Sequence, residues 1–115
     1  MRFTPRIALT LVSFLTLGAA HAQNYPTKTV RLIVPFPAAS VPDIIVRTVM
    51  DKAAPQLGQP AVVENRVGAG GRIGVTALAK SPADGYTLGL GSTSTHMVAP
   101  YIVKNMPYDS FDDFT

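Results

Sequence analysis

The sequence predicts an α/β domain: a parallel sheet with flanking helices. Three observations lead there. Short apolar runs rich in β-branched residues recur along the chain, segments with helical spacing separate them, and each run ends in a loop of Pro, Gly, Ser or Thr. Strand, helix, strand, helix, strand is the recipe for parallel strands joined by right-handed crossovers.

The first strand is read at Val30–Val34, an apolar run suited to burial on both faces. A helix is expected from Ile44 to Ala54, because Val46, Val49, Met50 and Ala53 recur at i, i+3, i+4 and i+7. Asp43 stands at its natural N-cap, and Pro55 is expected to end it, with Gly58 in the exit turn. Ala61–Glu64 is the second strand. Arg72–Lys80 is a short helix expected to bury Ile73, Ala77 and Leu78. Pro82-Ala83-Asp84-Gly85 has the composition of a turn, since Pro pre-sets φ and Gly accepts positive φ. The third strand is read at Tyr86–Leu90, followed by the polar loop Gly91–Thr95 and a helix over parts of His96–Lys104, disturbed by Pro100.

Parallel sheets bind ligands outside the carboxyl ends of their strands. Here those ends carry residues 37–42, 66–71 and 91–95. The turn Gly68-Ala69-Gly70-Gly71 allows close backbone approach and leads into a helix N-terminus, whose free N–H groups favour an anion. It is not a dinucleotide fingerprint, because counting from Gly68 the sixth position is Ile73. Ser92, Thr93, Ser94 and Thr95 offer hydroxyls and backbone donors suited to a carboxylate, while Ser and Thr also serve as helix caps.

His96 is the one histidine beyond the N-terminal segment, and no second imidazole or carboxylate at ligand spacing accompanies it. Ser92, His96 and Asp84 could be combined into a triad on paper. No G-x-S-x-G elbow supports that small-hydrolase reading, and a structural or ligand-lining histidine is preferred. Asp109, Asp112 and Asp113 do not match a calcium loop and read as a solvated turn. No metal and no cofactor is implied.

Arg2 and Arg6 precede the apolar stretch Ile7–Leu17, and Ala20-His21-Ala22 ends in an A-x-A pattern. Residues 1–22 therefore read as a secretory signal cleaved before Gln23. The apolar stretch falls short of the roughly 20 residues a spanning helix needs, so no membrane anchor is expected after cleavage. The chain has no cysteine for lipid attachment, disulfides or thiolate metal sites. Cleavage removes two arginines from a formal charge of +3, and the remaining basic residues are scattered singly. Nucleic acid is excluded as a partner on that ground.

These residues carry a resemblance. Tyr25-Pro26-Thr27-Lys28, the strand leading to Pro35-Phe36-Pro37, and the string Glu64-Asn65-Arg66-Val67-Gly68-Ala69-Gly70-Gly71 occur in order. Asp84-Gly85-Tyr86-Thr87-Leu88, then Pro107-Tyr108-Asp109 and Asp113-Phe114, follow. In this the chain resembles the Bug-type extracytoplasmic solute receptors of tripartite tricarboxylate transporters through nearly its whole length after the signal.

The resemblance implies a periplasmic-binding-protein-like clamshell, with residues 23–115 forming the N-terminal part of domain I and domain II absent. It implies a periplasmic receptor that binds small organic acids, di- or tricarboxylate-like, and delivers them to a membrane permease. The family's first βα loop reads Pro-Pro-Gly-Gly-x-x-Asp, and its backbone holds a ligand carboxylate. By position this chain offers Pro37, Ala38, Ala39, Ser40, Val41, Pro42 and Asp43 there, without the glycines. The expected ligand wall is therefore Pro37, Ala38, Ala39, Ser40 and Asp43, with Gly70, Gly71, Ser92, Thr93, Ser94, Thr95 and His96. A truncated remnant without function is the alternative reading.

Overall fold

The β-branched run Val30–Val34 forms the central strand, β1, in a computed structural model that describes Asn24–Phe114. The signal reading lies outside the described residues. Helix α1 spans Val41–Leu57, strand β2 Ala61–Asn65, helix α2 Arg72–Ala79 and strand β3 Thr87–Gly89. A 3-10 turn at Ala69–Gly71 leads into α2. Beyond β3, a π-helical turn at Ser94–Val98 runs into the short helix α3, Ala99–Ile102.

The sheet order is β2-β1-β3, and both pairings are parallel. The register sets Leu32 beside Val63 and Leu88, and Ile33 beside Glu64 and Gly89. Because strand side chains alternate, β1 presents Val30, Leu32 and Val34 to one face and Ile33 to the other. Val34 meets Val46 and Met50 of α1, with Leu32, Phe36, Ala61, Val63 and Leu90 packed around them. Burying a valine or methionine of this kind stabilises the fold by roughly 1.5–3 kcal/mol. Among the described residues no helix is long and apolar enough to cross a membrane.

Several expected details are corrected. Helix α1 begins before Asp43: Ser40, in extended conformation, is the N-cap, and Pro42 sits in the first turn. Proline is tolerated there because its missing N–H would be free in any case. Pro55 lies inside the helix rather than ending it, and the helix continues to Leu57. The stop comes at Gly58, which takes the left-handed conformation and donates its N–H to the Ala54 carbonyl.

Val46 and Met50 are buried as expected, whereas Val49 is 57% exposed. In α2, Gly74 and Val75 face the sheet and Ile73 is 54% exposed. Gly74 sets that phase. A Cβ there would stand 2.7 Å from the Arg66 carbonyl oxygen and 3.0 Å from Pro35 Cβ, so the helix approaches the loop backbone through its glycine. Strand β3 is shorter than the expected Tyr86–Leu90, and α3 stops at Ile102 with Pro100 in its first turn.

Candidate functional site

All three strands point their carboxyl ends the same way, so the loops after Val34, Asn65 and Gly89 emerge at one edge of the sheet. They meet at Gly71. This residue is buried with φ +90°, and a Cβ on it would lie 2.9 Å from Thr95 Cγ2 and 3.4 Å from Pro35 Cβ. Gly68 and Gly70 also take positive φ, as does Ala69 at +49°. The glycine string is therefore a wedge that lets the first and third loops close on the second.

The first loop is held from beneath by a polar network centred on one buried carboxylate. Asp43, 1% exposed, accepts the Ala39 N–H at 2.8 Å and the Arg47 Nε–H at 3.0 Å on one carboxylate oxygen. Its other oxygen accepts from Asn65 Nδ2 at 2.7 Å. The same amide nitrogen donates to the Phe36 carbonyl at 3.0 Å, and the amide oxygen accepts from Arg47 at 2.9 Å. The hydrogen bond from Arg47, then that from Asn65, holds the Asp43 carboxyl down at about 2, against an opposing push from desolvation. Asp43 is thus no N-cap by position. Its carboxylate reaches back to the Ala39 amide and fixes the loop, in which Ala39 is driven to φ +61°.

The third loop satisfies itself in a similar way. Ser92 Oγ lies 2.9 Å from Ser94 Oγ and 3.0 Å from Thr95 Oγ1, and Thr95 Oγ1 is 2.8 Å from His96 Nδ1. The Ser92 carbonyl accepts the N–H groups of Thr95 and His96. Thr95 is fully buried, and the Tyr108 hydroxyl donates to its carbonyl at 2.7 Å. Burial pushes the Tyr108 phenol up.

The paper triad does not assemble. Asp84 accepts the Tyr86 N–H at 3.0 Å and pairs with Lys28 at 3.2 Å, while Ser92 meets His96 through the Thr95 hydroxyl. The His96 ring packs against Tyr108 and Phe114, with centroids 6.1 and 5.2 Å away, and borders a groove of about 430 Å³ beside β3. Asp109 accepts the N–H groups of Phe111 and Asp112, which makes the acidic segment a turn.

The expected wall thus divides by exposure. Pro37, Ala38, Ala39, Gly70, Thr93 and Ser94 are open to solvent, and Ser40, Ser92 and His96 are partly covered. Asp43, Gly71 and Thr95 are buried and act as scaffold. Asn65 and Arg47 were not singled out by the sequence, although Asn65 lies within the Glu-Asn-Arg string. An asparagine between a strand and a glycine turn reads as a loop residue, and nothing local points it toward Asp43.

A small parallel sheet, helices on both faces and clustered loops at the carboxyl edge make this a partial domain of the periplasmic-binding-protein class. The model of the tripartite tricarboxylate transporter family receptor (TctC) matches residues 45–115, and the chain belongs to that family. Protein BugT of Bordetella pertussis is 40% identical over 117 residues, which take in 98% of this chain and 36% of BugT. Rpa4515 of R. palustris, solved with adipate, superposes with a TM-score of 0.71 at 35% identity, over 75% of this chain and 29% of its own. MatC (Rpa3494) from Rhodopseudomonas palustris, solved with bound malate, gives 0.75 at 36% identity, over 79% of this chain and 31% of its own. The chain spans about a third of the length of the curated relatives it matches.

Proposed function

We propose that this chain forms one wall of the cleft of an extracytoplasmic receptor for a small organic carboxylate. The observation that carries the reading is the closure of three strand-end loops around Gly71. It supports a wall in which the exposed residues Pro37, Ala38 and Gly70 share an edge with the hydroxyls of Thr93 and Ser94. Ala38 and Gly70 supply the backbone N–H groups, since Pro37 has none and that of Ala39 is given to Asp43. Backbone N–H groups and hydroxyls suit a carboxylate, which accepts several short hydrogen bonds and is favoured near the N-terminus of α1. Adipate and malate in the two solved relatives agree with that chemistry.

Ser40, Ser92 and His96 border the wall, and Asp43, Gly71 and Thr95 hold its shape. No bond to the ligand is made or broken: the chain acts by binding. Residues 1–22 direct it to the periplasm, residues 23–115 supply part of the first domain, and the ligand passes to a membrane permease of the tripartite carboxylate type. Titrating the ¹⁵N-labelled chain with malate and adipate tests the wall. Amide shifts centred on Ala38–Ser40, Gly70 and Thr93–Ser94 are expected. Shifts confined to the groove beside β3, or none with either acid, would overturn the reading.

A further inference from the structure

We infer that Asn65 is a positioning residue for the ligand wall: it fastens the end of β2 to the β1–α1 loop and so sets the conformation of Pro37–Ser40. The inference rests on the reading of that loop as carboxylate-binding and adds the residue that shapes it. Asn65 is the last residue of β2, paired in register with Val34, so its backbone is fixed by the sheet. Its side chain crosses from that fixed point to the loop. One amide nitrogen donates to the Phe36 carbonyl and to Asp43, and Asp43 in turn accepts the Ala39 N–H.

The loop is therefore tied at both of its shoulders, directly at Phe36 and through a carboxylate at Ala39. The second tie matters more, because Ala39 stands at φ +61°, a conformation that a Cβ disfavours and that the surroundings must impose. Arg47 closes the network by donating to both Asp43 and the Asn65 oxygen, so the carboxylate is neutralised without turning toward the ligand face.

Asn65 uses its oxygen and its nitrogen for different tasks, and Asn65→Asp separates them. The variant keeps an oxygen for Arg47 and replaces the donor with a second acceptor aimed at the Phe36 carbonyl and at Asp43. Two carboxylates at that separation cannot both stay ionised at low cost, so one takes up a proton on acidification and an O–H donor returns. Charged and titratable groups facing the pair are Asp43 and Arg47 on α1; Glu64 on β2 is engaged by Arg31 and Arg66.

The test follows Ala39 amide protection, corrected for intrinsic exchange, together with malate affinity, in wild type, Asn65→Asp and Asn65→Leu. At about pH 7, both variants are expected to lose Ala39 protection and malate affinity by about tenfold each. Toward about pH 5, Asn65→Asp should recover both, whereas Asn65→Leu should not. Unchanged Ala39 protection in the variants would overturn the inference. So would a loss spread evenly over β1 and β2 that acid does not reverse, since that marks general unfolding. If the wild type binds neither malate nor adipate, the carboxylate reading fails, while the Ala39 exchange pattern still decides whether Asn65 sets the loop.

Discussion

The two ends of the sheet are both laced with polar contacts, and they are built on opposite terms. At the amino end, Tyr25 donates to the Gly85 carbonyl, and the Thr27 N–H donates to the Tyr86 hydroxyl at 2.9 Å. Lys28 pairs with Asp84 while lying 4.3 Å over the Tyr86 ring. The side chains of that pair are 61% and 41% exposed, so water can replace each bond. At the carboxyl end, the Asp43 side chain is 2% exposed and accepts from Ala39, Arg47 and Asn65, of which the Arg47 side chain is itself 46% exposed. A solvated clamp tolerates loss, whereas the buried Asp43 carboxylate is left short of donors when one of its partners is removed. The end built on the buried carboxylate is the one that carries the candidate ligand wall.

The largest expected effect is that of Asp43→Asn. It leaves one acceptor oxygen where there were two and sets an NH2 donor against either Asn65 or the Ala39 and Arg47 donors, so at neutral pH it should lower the urea midpoint more than any other substitution named here. The sign of its pH dependence follows from the carboxyl being held at about 2, below the ordinary 3.8. The folded state takes that proton less readily than the unfolded chain, so the contribution is complete above 3.8 and is lost as the pH falls toward 2. The gap between wild type and variant should narrow across that window. A gap that stays constant would mean that the carboxylate charge is not what the network uses.

Next comes Gly71→Ala, which combines a left-handed backbone with a Cβ driven into Thr95. It should cost about 2–4 kcal/mol in chemical denaturation. Ala39→Gly acts in the opposite direction: by relieving φ +61° it should raise stability by about 0.5–1 kcal/mol, less the entropy that glycine adds to the unfolded chain. At the amino end, Lys28→Met should leave the midpoint unchanged within error, because an exposed pair is screened and flexible. A clear loss there would erase the contrast between the two ends.

Much of the frame is legible in the sequence, and the misses share a cause. Val30–Val34 is read to the residue, and β2 and α2 to within one, because β-branched runs and glycine punctuation act locally. The start of α1 is misjudged because Val41 and Pro42 read as loop, although proline in a first helical turn costs no hydrogen bond. Val49 is set on the inner face by its spacing and Ile73 by being apolar, yet both are exposed, because the helix phase is a matter of tertiary contact at Met50 and Gly74.

The loops expected to carry the site are found at one edge, but the network beneath them is not foreseen. Asp43, Arg47 and Asn65 come from two elements, and from sequence Asp43 reads as the N-cap of its helix rather than as the partner of Arg47. Only the return of β2 alongside β1 shows that Asn65 arrives there too.

The strand order has a consequence in time. Among the described residues Val30–Val34 is the first strand to be synthesised, yet it ends in the middle, flanked by two strands made later. It cannot be enclosed on both sides until Thr87–Gly89 has been synthesised and has returned to it. Until then the buried residues Val30, Ile33 and Val34 have no finished place to go. Non-local pairing of this sort delays folding and lengthens exposure to other chains. The same delay makes slow dilution and low temperature the conditions to choose when refolding the chain.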